Sequence, residues 1–194
     1  VNFLAHSYLS GNDDSIIIGN FIGDAVKGSN FEGYGPGVVK GIQLHRHIDH
    51  YTDTHPIVKE SIQRLRPQFK KYAGVVSDMF YDHYLAKNWS MYSNESLEVF
   101  AQKIYGIMET NFSTLPQKTQ YMLPYMKRHN WLVSYAQIEG VGSALKGLSR
   151  RTKFESNMEN ATAELRENYS DYEAEFNRFF PELVEFSSKK LAEL

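Results

Sequence analysis

Sixteen residues, Gly41 to Pro56, read GIQLHRHIDHYTDTHP and hold four histidines (His45, His47, His50, His55) and two aspartates (Asp49, Asp53). On an α-helix each residue advances about 100°, so side chains four apart stand nearly one above the other. That geometry gathers His45, Asp49, Thr52 and Asp53 into one sector and turns His47 and His50 away from it. His55 precedes Pro56 and falls outside the helix, so these three histidines are expected at the surface. An imidazole and a carboxylate at i and i+4 can grip one divalent cation, or can share a plain hydrogen bond on a solvated face.

Two more segments carry the same anomaly. Asn20 and Asp24 are four apart on a stripe flanked by Ile16 on one side and by Ile17 and Phe21 on the other. Asp24 is therefore expected within an apolar face, where an unpaired carboxylate costs several kcal/mol unless a cation, an arginine or a capping role compensates it. Asp78 and Asp82 repeat the spacing, with Asp82 flanked by Val75, Leu85 and Ala86 and followed directly by His83. His6 is a lone imidazole in the apolar stretch NFLAH, a type more often satisfied within a core. Three segments with one anomaly change that balance. One hard cation would compensate them all, and helical bundles build metal sites from side chains projecting inward off several helices.

The elements that must position these groups read as helices throughout, with no alternation at period two. A short helix over NFLAHSYLS stops at Gly11, and a second, capped by Asp13 or Asp14, runs to Gly28. Residues 30–37 form a glycine-rich loop, and a helix then spans about Val38 to Thr54. Residues 57–66 make another helix, Pro67 opens a longer one to Trp89, and Ser93 or Asn94 caps one that ends near Phe112. Shorter helices occupy 117–150 around Trp131, and the amphipathic C-terminal region is divided at Pro181. A single all-α domain over residues 1–194 is expected.

Composition narrows the chemistry. The chain has 194 residues, 42% hydrophobic and 23% charged, with a net charge of −2, which argues against bulk electrostatic binding of nucleic acid or membrane. It has no cysteine, so thiolate nucleophiles, disulfides and Cys-ligated zinc are excluded and His, Asp and Glu remain as ligands. No apolar stretch approaches the roughly 18 residues of a membrane span, and no signal-peptide pattern opens the chain; a cytoplasmic protein is expected.

The segments NFLAH, GNFIGDAVKG, GIQLHRHIDHYTD, DMFYDHYLAKNW and NWLVSYAQIEGVGSALKGLSRR, taken in order, resemble the acyl carrier protein phosphodiesterase family. That family is a divergent branch of the all-helical, metal-dependent HD phosphohydrolases. In this chain the adjacent His-Asp of that name is reversed, as Asp82-His83. The resemblance implies hydrolysis of the phosphodiester between 4′-phosphopantetheine and a serine of holo-acyl carrier protein, with Mn²⁺ (or Mg²⁺ or Fe²⁺). On this reading His6, Asp24, His45 and Asp82 are the expected ligands, and Asp49 is a further ligand or orients His45. Asn20, Thr52, Asp53 and Asp78 support them, His83 is the expected general acid or base, and Arg46 is expected on a phosphate oxygen.

An acidic carrier protein calls for a basic docking surface. Arg64, Arg66, Lys70 and Lys71 form one cluster, and Lys146, Arg150, Arg151 and Lys153 a second. The alternative for both is a solvated helix end, where cations are favoured by the helix dipole. The alternative activity is an HD-type hydrolase of a nucleotide or other small phosphoester, using the same metal site. A non-catalytic helical module with a buried polar network is the third reading.

Overall fold

A computed structural model describes residues 1–194, all in helices and their connections, with no strand. The helices are α1 (Phe3–Tyr8), α2 (Asp14–Ile22), α3 (Pro36–Thr54), α4 (Pro56–Phe69), α5 (Ala73–Lys87) and α6 (Leu97–Thr110). They continue as α7 (Gln117–Arg128), α8 (Trp131–Ser134), α9 (Ile138–Ser149), α10 (Ala161–Glu167) and α11 (Tyr169–Glu193). One contiguous apolar core runs through them, and α5 lies at its centre, buried continuously from Met79 to Ala86. Against it α11 brings an aromatic ladder in which Phe176 and Phe180 stack at 4.9 Å and Phe179 meets Tyr81 at 5.5 Å. No helix is long and apolar enough to cross a membrane.

Helices α2 and α3 cross at closer range than side chains allow. A Cβ on Gly19 would lie 2.0 Å from the carbonyl oxygen of Val38, and one on Gly41 would lie 2.2 Å from that of Ile16. Backbone therefore packs on backbone, which brings the end of α2 within hydrogen-bond reach of side chains on α3.

Three expected boundaries move. The second helix ends at Ile22 and passes into a 3₁₀ turn over Gly23–Ala25, so Asp24 leaves the apolar face and its side chain is 74% exposed. Gly23 sits at that change because the ring of His45 occupies the space a side chain would need, 2.2 Å from a hypothetical Cβ. Pro67 lies inside the last turn of α4, and the break falls instead at Lys70, whose φ of 50° a helix cannot contain. Pro181 is passed by α11 without interruption. Both prolines face solvent, as do Gln63 and Asn177 four residues earlier, whose carbonyls can turn to water when the proline supplies no N–H.

Candidate metal centre

The centre is built around Asn20, which is fully buried near the end of α2. Its amide nitrogen donates to the carbonyl of His6 and to the hydroxyl of Ser10, each at 2.9 Å, and so fixes which way the amide faces. The amide oxygen is left to accept. It lies 2.8 Å from Nδ1 of His6 and 3.2 Å from Nδ1 of His45, while the main-chain oxygen of Asn20 lies 2.8 Å from that same Nδ1. Both imidazoles thus face pure acceptors at Nδ1, so the proton of each sits there and each Nε2 points the other way.

The two Nε2 atoms converge on one carboxylate. Asp49 places one oxygen 3.1 Å from Nε2 of His6 and the other 3.1 Å from Nε2 of His45, and Asp24 adds an oxygen 3.5 Å from the latter. The rings stack with centroids 4.0 Å apart. Nε2 of His45 is buried without a hydrogen bond of its own. A neutral Nε2 presents a lone pair to a carboxylate oxygen, which repels it, and charging both stacked rings sets two cations face to face. A divalent cation between them removes both conflicts, and His6, His45 and Asp49 offer ligand atoms all within 4.8 Å of one another.

The electrostatics follow from this crowding. Burial, then the adjacent His45, pushes the His6 imidazole down to about 4. Burial also opposes charge on His45, but the carboxylates of Asp24 and Asp49 outweigh it and raise that imidazole to about 9. Burial works against ionised Asp49 too, yet the two imidazoles hold its carboxyl far below the usual range. Asp24 is lowered by its contact with His45.

A cavity of about 140 Å³ opens onto these groups, lined also by Thr52, Asp53 and Asp78. Thr52 is buried with an unpartnered hydroxyl. Asp53 makes no ion pair, and burial with the nearby Asp49 charge raises its carboxyl. Asp78 is paired with the Val1 ammonium, while burial raises it. The charge balance of this cavity is negative, as a cation site requires.

Other expected residues are placed elsewhere. Asp82 does not join the cluster: its oxygens accept the backbone N–H groups of Asn2, Leu4 and Ala5 at 2.9, 2.8 and 3.3 Å, capping α1 from α5. An apolar-face carboxylate can be compensated by a cation, an arginine or a capping role, and Asp82 takes the last. His83 donates from Nδ1 to the Tyr135 carbonyl and accepts from the Tyr169 hydroxyl, each at 2.8 Å, away from the cavity. Arg46 donates to the carbonyls of Val26 and Gly28 and covers Phe31, so it fastens the α2–α3 connection. Arg64 forms a forked pair with buried Glu175 on α11, at 2.6 Å for the shorter arm. His47 and His50 are exposed, whereas His55 is half-buried against Phe179 and Glu182. Two contributors leave no mark on the sequence pattern: Ser10, which aims Asn20, and Gly23, which admits His45. A serine and a glycine near helix ends are too ordinary to signal either role.

Comparison with known proteins gives a consistent result. The family model described as "Acyl carrier protein phosphodiesterase" matches residues 1–183. A protein of that name from Photorhabdus laumondii is 32% identical over 191 residues, covering 98% of this chain and 96% of the relative. One from Escherichia coli O6:H1 is 32% identical over 192 residues, covering 98% and 99%, and one from Pectobacterium atrosepticum is 28% identical over 188 residues, covering 96% and 97%. No solved structure matches the chain.

Proposed function

This chain belongs to the acyl carrier protein phosphodiesterase family, and on that premise we propose that it cleaves the phosphodiester joining 4′-phosphopantetheine to a serine of holo-acyl carrier protein. The products are apo-acyl carrier protein and free 4′-phosphopantetheine. The observation that carries this reading is the convergence of the His6 and His45 Nε2 atoms on one carboxylate, with both rings aimed by Asn20. The helical frame with inward His and Asp side chains fits a divergent branch of the HD phosphohydrolases.

His6, His45 and Asp49 would hold the divalent ion, with Asp24 beside them at the solvent rim. When bound, Mn²⁺, or alternatively Mg²⁺ or Fe²⁺, supplies a lowered pKa for water and charge neutralisation of a phosphate oxygen. Asn20 keeps the two Nε2 lone pairs on the cavity side, so no reorientation is needed when the phosphodiester arrives. Asp53, one helical turn beyond Asp49 and free of ion pairing, retains its proton to higher pH than an ordinary aspartate and serves to protonate the leaving serine oxygen.

Docking of the acidic carrier falls to Arg66 in the last turn of α4, Lys70 and Lys71 between α4 and α5, and Arg150 and Arg151 after α9, all exposed. Arg64 is withdrawn from that set by Glu175. Such a reaction belongs in the cytoplasm with its substrate. The test is incubation with holo-acyl carrier protein and Mn²⁺, followed by mass measurement of both products. The expected result is apo-protein plus intact 4′-phosphopantetheine; unchanged carrier protein with hydrolysis of small phosphoesters would assign the site to a small-molecule hydrolase instead.

A further inference from the structure

A second cavity, of about 250 Å³, adjoins the first. The two share Val1, Asn2, Phe3, Phe21, Asp24 and Asp78 as walls, so they lie side by side. Their linings differ in kind. The first is mostly polar, whereas the second is walled by Val75 and Met79 of α5, Met122 of α7, Trp131 of α8, and Ala144 and Leu148 of α9. Val75 is 37% exposed there, although α5 otherwise buries its apolar residues, and Met122, Trp131, Ala144 and Leu148 are only half-buried. Apolar side chains left wet in a cleft beside a charged centre are the composition of a ligand subsite.

We propose that this cleft is the subsite for the pantetheine arm, and that Val75, Met122, Trp131, Ala144 and Leu148 set the enzyme's preference for what hangs from the scissile phosphate. The inference rests on the phosphodiesterase reading. The arm is an uncharged single chain whose gem-dimethyl and methylene groups suit apolar walls, while its hydroxyl and two amides can meet the polar side chains of Lys118 and Thr119 that also line the cavity. The cleft is below the roughly 300–1,000 Å³ of pockets that enclose drug-sized ligands. It therefore suits a narrow chain better than a base and ribose together. Its place beside the centre sets the order of parts: phosphate beside His6, His45 and Asp49, arm along α5 and α9. The exposed cations Lys118 and Arg151 also line it, where they meet the acidic carrier from which the arm extends.

The test narrows the cleft from two sides with Ala144→Trp and, independently, Val75→Trp, both at positions with solvent access that the fold can accommodate. Folding is checked by circular dichroism and thermal melting. Each variant is then measured on holo-acyl carrier protein and on methyl p-nitrophenyl phosphate, which carries only a methyl group in place of the arm, and pantetheine is titrated by calorimetry. The expected result is a rise in KM for the carrier substrate of about tenfold or more, unchanged hydrolysis of the small diester, and lost pantetheine binding. Folded variants that keep both KM and pantetheine binding overturn the subsite, as does equal loss on the two substrates. Failure of the unaltered protein on holo-acyl carrier protein overturns the phosphodiesterase reading instead. In that case calorimetry with pantetheine decides the cleft alone, binding that the variants abolish supporting it and absence of binding refuting it.

Discussion

Asn20 holds His45 with two of its own oxygens, the main-chain one at 2.8 Å and the side-chain one at 3.2 Å from the same Nδ1. Only the side-chain oxygen also reaches His6, at 2.8 Å. Replacing Asn20 with alanine should therefore free His6 more than His45. Partners that orient metal-ligating histidines typically contribute about 10–100-fold in metal affinity. A loss in that range, read by calorimetric titration with Mn²⁺, is expected for Asn20→Ala. A drop in stability of about 1–3 kcal/mol should accompany it, because the His6 carbonyl and Ser10 hydroxyl lose their donor. Unchanged Mn²⁺ affinity in a folded variant would remove Asn20 from this role.

The pH behaviour of the metal-free protein follows from the two imidazoles. His45 is raised from 6.5 to about 9 in the fold, so its contribution to stability is fully present below pH 6.5 and is lost as pH rises through 9. His6 is lowered from 6.5 to about 4, so the unfolded chain takes its proton first, and stability falls as pH drops from 6.5 through 4. These two groups place the stability maximum of the chelated protein near pH 6.5. A cation must displace the His45 proton, so the gain in Tm on adding Mn²⁺ should be larger at pH 8.5 than at pH 6.5. Melting curves with and without chelator across this range check it, and a gain that shrinks with rising pH would contradict the assignment of His45 as a ligand.

Asp82→Ala separates a capping carboxylate from a ligating one. The substitution strips acceptors from three backbone N–H groups at the start of α1, at a cost of about 3 kcal/mol or more. The fall in Tm should be the same with and without Mn²⁺. Asp82→Asn, which keeps one good acceptor, should fall between that variant and the parent. A variant of full stability that no longer binds Mn²⁺ would instead make Asp82 a ligand.

Docking should show in the salt dependence of carrier-protein turnover. Raising ionic strength to roughly 0.5 M screens attraction beyond a few ångströms and should raise KM for holo-acyl carrier protein with little change in kcat. Lys70→Glu with Lys71→Glu, or Arg150→Glu alone, should do the same at low salt and leave a small phosphodiester unaffected. Arg64→Glu should destabilise the protein by breaking its pair with buried Glu175.

The i, i+4 relation of His45 and Asp49 needs only helical geometry to be legible in the sequence, and α3 keeps it, with both groups facing one cavity. Helix content and the lack of strands follow from periodicity in the same way. The partner of each carboxylate does not. Asp24 and Asp82 look alike on a helical wheel, yet one lies in a 3₁₀ turn at the rim and the other caps a helix 80 residues away in sequence. Wheel positions report burial, and burial does not distinguish a cation from a row of N–H groups. Arg64 falls to the same ambiguity: its basic neighbours are close in sequence, but Glu175 comes from the far end of the chain. Pro67 and Pro181 look like boundaries because a proline removes one donor, and solvent on their helix faces makes that loss tolerable.

The contact of Gly19 with Gly41 leaves α2 and α3 no slack. With carbonyl oxygens 2.0 and 2.2 Å from where a methyl group would begin, an alanine at either position acts as a wedge at the pivot of two rods. Asn20 and His45 lie just beyond that pivot, one on each rod, so a tilt too small to disturb the core would still draw the imidazole off the oxygens that aim it. Neither glycine lines the cavity. The tolerance of the centre is nonetheless set there, by two side chains that consist of a hydrogen atom.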